Sequence, residues 1–254
     1  MKKRYGQHFI SDRNLLQRII DFAHISSTDT VIEIGPGSGS LTRELAAVAK
    51  RVVAIEIDRD LIGALRRTMP FNVEIVDADA FDVDFDQYTA PYHVVGNLPY
   101  NVATALLRTF ISHRARISEV TIMLQKEVAQ RVCAKPGTPD YGPLSVLIQY
   151  YADPTWGFTV PPAAFTPPPK VDSAVIRLDW RPDVADFPAF TDFVHHAFAS
   201  RRKKLVNNLG AILPGRTKDD LTDILRRAGI SIDVRAETLT IEEFLRVYNQ
   251  ASEY

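Results

Sequence analysis

Only one cysteine, Cys133, is present, so no internal disulfide can form, and a reducing compartment such as the cytoplasm is the expected home. Long apolar runs are missing too, and nothing approaches the roughly 20 residues of a membrane span. Met1-Lys2-Lys3-Arg4 has the charges of a secretory leader, but Tyr5-Gly6-Gln7-His8 supplies no apolar segment behind it. The 6 histidines have no cysteine or carboxylate partners at ligand spacing, so no metal is expected. Neither sign of charge dominates: 30 Lys and Arg face 31 Asp and Glu. Residues 1–180 hold 19 basic against 20 acidic side chains, and residues 181–254 hold 11 against 11. This balance excludes a protein that coats nucleic acid by bulk charge and leaves only local patches. These are Lys2-Lys3-Arg4, the trio Arg108, Arg114 and Arg116, and Arg201-Arg202-Lys203-Lys204, each of which also reads as a solvated face.

What is present is a soluble globular composition with room for one large domain, or one domain and a smaller one. Residues 12–24 have helical spacing of apolar groups behind Ser11 or Asp12 as N-cap. Five β-branched runs follow: Thr30–Ile34, Val52–Asp58, Val73–Asp77, Tyr92–Val95 and Val120–Leu124. Helical segments after Ser40, from Asp60 to about Thr68, from Val102 to His113 and from Gln125 separate or follow them. Strands alternating with helices predict an α/β fold, a doubly wound parallel sheet of Rossmann type, with ligands beyond the carboxyl ends of the strands. Proline density from 154 to 169 predicts a rigid loop rather than a helix.

Those carboxyl ends carry the chemistry. Glycines at 35, 37 and 39 let backbone approach a ligand beside a helix N-terminus. The dinucleotide fingerprint wants a third glycine where Ser40 stands, so the spacing leans away from NAD. Glu56 can accept from both hydroxyls of a ribose, although an acid there could equally cap the next helix. Asp79 can accept from an adenine amino group, while Asp82, Asp84 and Asp86 read as solvated. No P-loop Lys or Arg stands near the glycines, so the ligand combines adenine, ribose and a non-phosphate tail. S-adenosylmethionine is such a ligand.

The fourth strand runs into Gly96-Asn97-Leu98-Pro99-Tyr100-Asn101. Leu98, before Pro99, is biased toward an extended backbone that turns its carbonyl outward beside the Asn97 side-chain oxygen. Two acceptors and the π-face of Tyr100 suit the exocyclic amine of a nucleobase. Acceptors on both N–H bonds favour a pyramidal nitrogen and aim its lone pair at an electrophile, while the ring holds the base by stacking. An ordinary strand-to-helix turn with a helix-starting proline is the alternative for this stretch taken alone.

Together these pieces resemble one family. Val31-Ile32-Glu33-Ile34-Gly35-Pro36-Gly37-Ser38-Gly39, Ile55-Glu56-Ile57-Asp58, Asp77-Ala78-Asp79-Ala80 and Asn97-Leu98-Pro99-Tyr100-Asn101 resemble the motifs of ribosomal RNA adenine N6-dimethyltransferases. Tyr5-Gly6-Gln7-His8-Phe9, Met123–Val128, Tyr141–Val146 and Phe165–Val175 match as well, and the likeness runs to Phe198–Leu205. It is nearest to the KsgA-type, small-subunit branch; Erm-type resistance methylases share the core but usually lack this proline-rich stretch and helical tail. The resemblance implies a class I methyltransferase fold and an S-adenosylmethionine site lined by His8, Ile10, Gly35, Glu56, Asp79 and Asn97. It also implies that Phe165 stacks opposite Tyr100 and that two adjacent adenosines near the RNA's 3′ end are each methylated twice.

After Arg181-Pro182-Asp183 the pattern becomes amphipathic helices without strands, at Phe190–Ala199, Leu205–Leu209, Leu221–Ala228 and Ile241–Tyr248. The expected division is therefore a methyltransferase domain, 1–180, and a small all-helical domain, 183–254, that docks folded RNA through Arg201, Arg202, Lys203 and Lys204. The expected partner is small-subunit ribosomal RNA in a subunit precursor, with no membrane or metal, and nothing demands more than a monomer. A large-subunit methylase, a ribosome-assembly checkpoint binder and, more remotely, a nicotinamide oxidoreductase remain as alternatives.

Overall fold

A computed structural model of the chain describes residues 8–99, 102–182, 184–185 and 189–253. In chain order the elements are β1 (Phe9–Ile10), α1 (Arg13–Phe22), β2 (Thr30–Ile34), α2 (Ser40–Val48), β3 (Arg51–Glu56), α3 (Arg59–Thr68), β4 (Val73–Asp77), β5 (Tyr92–Asn97), α4 (Ala103–Ser112) and β6 (Ile117–Gln125). They continue with α5 (Lys126–Cys133), α6 (Pro143–Tyr151), β7 (Ala152–Val160), β8 (Phe165–Thr166), β9 (Ser173–Trp180), α7 (Phe190–Ala197), α8 (Leu205–Ile212), α9 (Lys218–Arg227) and α10 (Ile241–Ser252). The chain forms two compact units. One holds Met1–Ala129 with Asp153–Trp180, the other Gln130–Ala152 with Arg181–Tyr254.

The first unit is built on a sheet of order β4-β3-β2-β5-β6-β9-β7. Strands β2 to β6 run parallel, and β9 pairs antiparallel with β6 from Glu119↔Asp179 to Gln125↔Ser173. The doubly wound reading holds, with the addition of this antiparallel edge. The strands are continuous apolar runs because both faces are covered: Val31, Val52 and Val95 face one cluster with Leu16, Ile20, Leu41 and Leu45. The expected loop at 154–169 is corrected in part. β7 runs through Pro154 to Val160, which the sheet tolerates because β7 is its outermost strand and a missing ladder donor costs little there. Asp12 caps α1 by accepting from the amides of Asn14 and Leu15.

The second unit differs from the linear division at 180/183 in taking up residues 130–152. Aromatic packing explains this. The Tyr150 ring lies 5.0 Å from that of Phe190, Tyr141 packs 6.3 Å from Phe198, and the buried Tyr141 hydroxyl donates to the Leu239 carbonyl at 2.9 Å. Stacking of Phe198 on Phe244 at 5.6 Å and capping boxes at Thr217/Asp220 and Thr240/Glu243 order the remaining helices. Asp183 lies outside the described residues.

Candidate active site

At the carboxyl ends of β2, β3, β4 and β5 the first unit opens a cleft of about 190 Å³, over ten times what one water needs. Its floor is the turn after β2. Gly35, Gly37 and Gly39 all have positive φ (69°, 57° and 76°), a region that costs other residues about 1–2 kcal/mol. At Gly37 a Cβ would also meet the Phe9 ring at 2.7 Å. Gly96, one step before Asn97, lets β5 lie against β2, because a Cβ there would stand 2.7 Å from the Ile34 carbonyl oxygen.

Of the side chains expected to hold a ligand, His8, Ile10, Gly35, Gly37, Glu56, Asp79 and Asn97 all line this cleft, as do Leu98 and Pro99. Glu56 is buried, and its carboxylate accepts from the Gly37 amide at 2.9 Å and the Asp58 amide at 2.8 Å. It therefore both braces the glycine turn and leads into α3, and burial pushes its carboxyl up despite those amides. Asp79 accepts from the Phe81 amide at 3.0 Å through Oδ1. Asn97 Nδ2 donates one of its two hydrogens to the His8 carbonyl at 3.0 Å, which orients the amide and leaves Oδ1 as its acceptor end. The His8 ring is held in turn by the Pro167 carbonyl, 2.7 Å from Nδ1. The N-terminal segment reaches the cleft because β1 pairs antiparallel with β8, Ile10 opposite Phe165.

Three expectations need correction or fall outside the structure. Phe165 does not line the cleft: its ring is 3% exposed, belongs to the apolar cluster and meets His8 edge-on at 6.4 Å. A ring so covered offers a base no open face in this conformation. Tyr100 lies outside the described residues. The basic run divides by role. Arg201 is tied into its own unit, pairing with Glu237 at 3.1 Å and donating to the carbonyls of Pro139 and Tyr141 at 2.7 and 3.0 Å. Lys204 pairs with Asp233; all four residues of the run are exposed, and Arg202 and Lys203 are the two whose charges no such pair holds among the described residues.

One cleft residue escaped the sequence reading. Glu33, on β2, is 1% exposed, and its Oε2 has no hydrogen-bond partner. Burial raises its carboxyl to about 8, opposed by the nearby Thr42 hydroxyl and helped by repulsion from Glu56. The only signal was an acid where an alternating strand position faces the core.

Three acids, Glu33, Glu56 and Asp79, line the cleft, with no Lys or Arg among its described lining residues. Such a donor set rejects a pyrophosphate and accepts hydroxyls, amino groups and positive charge. The described residues contain no group of three or more metal-ligating side chains, and no helix among them is long and apolar enough to cross a membrane.

Fold and cleft define a class I methyltransferase. Among solved structures, a dimethyladenosine transferase from Plasmodium falciparum matches with TM-score 0.82 at 26% identity, over 96% of this chain and 98% of that one. The 23S rRNA methyltransferase ErmE matches with TM-score 0.74 at 28% identity, over 96% and 99%. The sequence model of the ribosomal RNA adenine dimethylase family matches residues 1–253, and the chain belongs to that family. Curated relatives include the ribosomal RNA small subunit methyltransferase A of Alkaliphilus metalliredigens (strain QYMF), 43% identical over 95% of this chain and 88% of that protein. The protein of the same name from Bacillus mycoides (strain KBAB4) is 44% identical over 98% and 90%.

Proposed function

We propose that the protein transfers methyl groups from S-adenosylmethionine to N6 of two adjacent adenosines near the 3′ end of small-subunit ribosomal RNA, each twice, acting as a monomer on subunit precursors in the cytoplasm. The observation that carries this reading is the Asn97 amide, anchored through Nδ2 to His8 at the mouth of an acid-lined, phosphate-hostile cleft. Identities of 43–44% to small-subunit enzymes, against 28% to the large-subunit enzyme ErmE, favour the small subunit.

When bound, the donor supplies a methyl group activated by a positive sulfur. Glu56 keeps lone pairs beyond those given to the Gly37 and Asp58 amides, and these accept from the ribose hydroxyls. Asp79 accepts from the cofactor's adenine amine, and the glycine turn lets the ligand lie against backbone. Asn97 Oδ1 and the Leu98 carbonyl take the two N–H bonds of the target amine, turning its lone pair out of conjugation and toward the methyl group. Tyr100 stacks on the base, and Phe165 joins it once the cover over its ring yields. No general base is needed, because the methylated ammonium is acidic enough to lose its proton to solvent or to one of these acceptors. Arg202 and Lys203 contact phosphates.

The test is incubation of unmethylated small subunits with methyl-labelled S-adenosylmethionine, followed by mapping of the label. Label in two adjacent dimethylated adenosines is expected; label confined to large-subunit RNA would move the protein to the Erm branch. Asn97→Ala should abolish labelling while subunit binding survives.

A further inference from the structure

Lys126 and Asp172 have no part in the chemistry above, yet the fold joins them beside the turn that takes the target amine. Asn97 lies opposite Met123 in the ladder between β5 and β6, and the Leu98 amide donates to the Met123 carbonyl at 3.1 Å. Two residues further on, β6 ends with Gln125 opposite Ser173 of β9. There the Lys126 amide donates to the Asp172 carbonyl at 3.0 Å, and Lys126 Nζ donates to Asp172 Oδ2 at 3.2 Å. The turn after β5, the start of α5 and the segment that follows Phe165 are therefore neighbours at one end of the sheet. Lys126 is three residues past Met123, about 10 Å along the strand direction. A nucleotide separates its base amine from its phosphate on that same scale.

Charge divides this end of the sheet into two sides. On the cofactor side stand Glu56 and Asp79 in the cleft, with Asp77 ending β4 and Asp58 capping α3, and Arg59 is already claimed by Asp77. That side repels an RNA backbone. On the other side of Asn97 the charges balance, Lys126 and Lys170 against Glu127 and Asp172. Lys170 is exposed, two residues before Asp172, and no acid pairs with it among the described residues. We propose that Lys126 is a backbone clamp for the target nucleotide. Its ammonium leaves Asp172 for an RNA phosphate, Asp172 being the placeholder that keeps it aimed until RNA arrives, and Lys170 adds a second cation beside it. The inference rests on the reading of the site as a methylase of adenosine in ribosomal RNA. It deepens that reading by adding what holds the nucleotide's backbone while Asn97 and Leu98 hold its amine.

Exchange of partner costs little here. The side chains of Lys126 and Asp172 are 40% and 41% exposed, and ion pairs so open to water contribute little to stability. A phosphate offers the ammonium a full negative charge and several acceptor oxygens in place of one carboxylate oxygen. The bond from the Lys126 amide to the Asp172 carbonyl involves neither side chain, so the segment keeps its place when the ammonium changes partner. A pair that merely braced the segment after Phe165 would behave differently. Loss of either side chain would then loosen the same contact and act in the same direction. For a placeholder the two losses act in opposite directions, since removing Lys126 removes the clamp and removing the Asp172 charge releases it.

The experiment is methylation of unmethylated small subunits by the full chain, as wild type, Lys126→Gln, Asp172→Asn and the double variant. Subunit affinity across a salt series and S-adenosylhomocysteine affinity are measured alongside. Lys126→Gln should raise KM for subunits roughly tenfold with kcat and S-adenosylhomocysteine affinity within about twofold of wild type. It should also flatten the plot of log affinity against log salt by about 0.7–0.9, the loss of one phosphate contact. Asp172→Asn should lower KM about two- to threefold, and that gain should disappear in the Lys126→Gln background. Should Lys126→Gln fail to fold, Asp172→Asn alone decides by sign: a lower KM supports the clamp, and a higher one overturns it. An unchanged KM and salt slope in Lys126→Gln, or equal losses in both single variants with lowered melting temperatures, likewise overturns it. Failure of the wild type to label subunits at all would instead reject the reading of the site on which the clamp rests.

Discussion

Replacing Gly37 by alanine probes the floor of the cleft with a single methyl group. Two costs can be worked out separately. At φ 57° a residue with a Cβ loses about 1–2 kcal/mol relative to glycine. The new methyl would also stand 2.7 Å from Cε1 and 2.9 Å from Cδ1 of Phe9. Pairing to Thr166 in the two-residue strand β1 holds the Phe9 backbone, so relief has to come from the ring turning about its own side-chain torsions. Overpacking of this kind costs about 1–3 kcal/mol. The sum, on the order of 2–5 kcal/mol, should appear as a lower urea midpoint and as weaker S-adenosylhomocysteine binding, because the Gly37 amide is one of the two that brace Glu56. Phe9→Ala in the Gly37→Ala background removes the clash but not the dihedral strain, so the cycle should show about 1–3 kcal/mol of favourable coupling. Unfolding of Gly37→Ala within about 0.5 kcal/mol of the parent, or strict additivity of the two changes, would refute this account of the turn.

Other residues give further tests. Phe165→Ala empties a buried ring site beside His8 and should cost about 3–5 kcal/mol in chemical denaturation, a loss that a merely stacking, solvent-facing ring would not produce. Arg201→Ala should lower stability by roughly 1–3 kcal/mol through the lost contacts to Glu237 and the two carbonyls. Replacing Arg202 and Lys203 by glutamine should leave the melting temperature alone and reduce the salt dependence of subunit binding; the reverse pattern would exchange the two roles. Burial raises the Glu119 carboxyl to about 7, against the pull of Arg177. A carboxyl held above its ordinary value of 4.5 contributes stability that is complete below that pH and lost as pH climbs through about 7. Glu119→Gln should therefore flatten the fall in urea midpoint between about pH 5 and pH 7.5, and an unchanged slope would discredit the assignment.

The five parallel strands were legible because each is a short β-branched run ending in glycine, acid or amide, and those ends are where a twisted parallel sheet binds ligands. The placement of His8, Glu56, Asp79 and Asn97 around one cleft was legible through motif order. Long-range packing hid the rest. Nothing local announces that Phe9 and Ile10 pair with residues 165–166, or that Tyr141 reaches Leu239 and takes residues 130–152 into the helical unit. Pro154 and Gly157 disguised β7, whose position at the sheet edge excuses the proline. The run Arg201 to Lys204 looked uniform, yet Glu237 and Asp233, far along the chain, claim its two ends. Glu33 read as a polar interruption in a core strand, because only the register with Ala54 and Val95 places it on the face it shares with Glu56 and Asn97.

The central claim is geometric, and a crystal of the protein with S-adenosylhomocysteine and adenosine measures it directly. Cofactor ribose on Glu56, cofactor adenine at Asp79, sulfur between the Glu56 and Asn97 ends of the cleft, and the free adenosine's N6 within hydrogen-bond reach of Asn97 Oδ1 and the Leu98 carbonyl are the expected result. Sulfur resting away from the span between positions 56 and 97, or an adenosine amine that avoids Asn97, would contradict it.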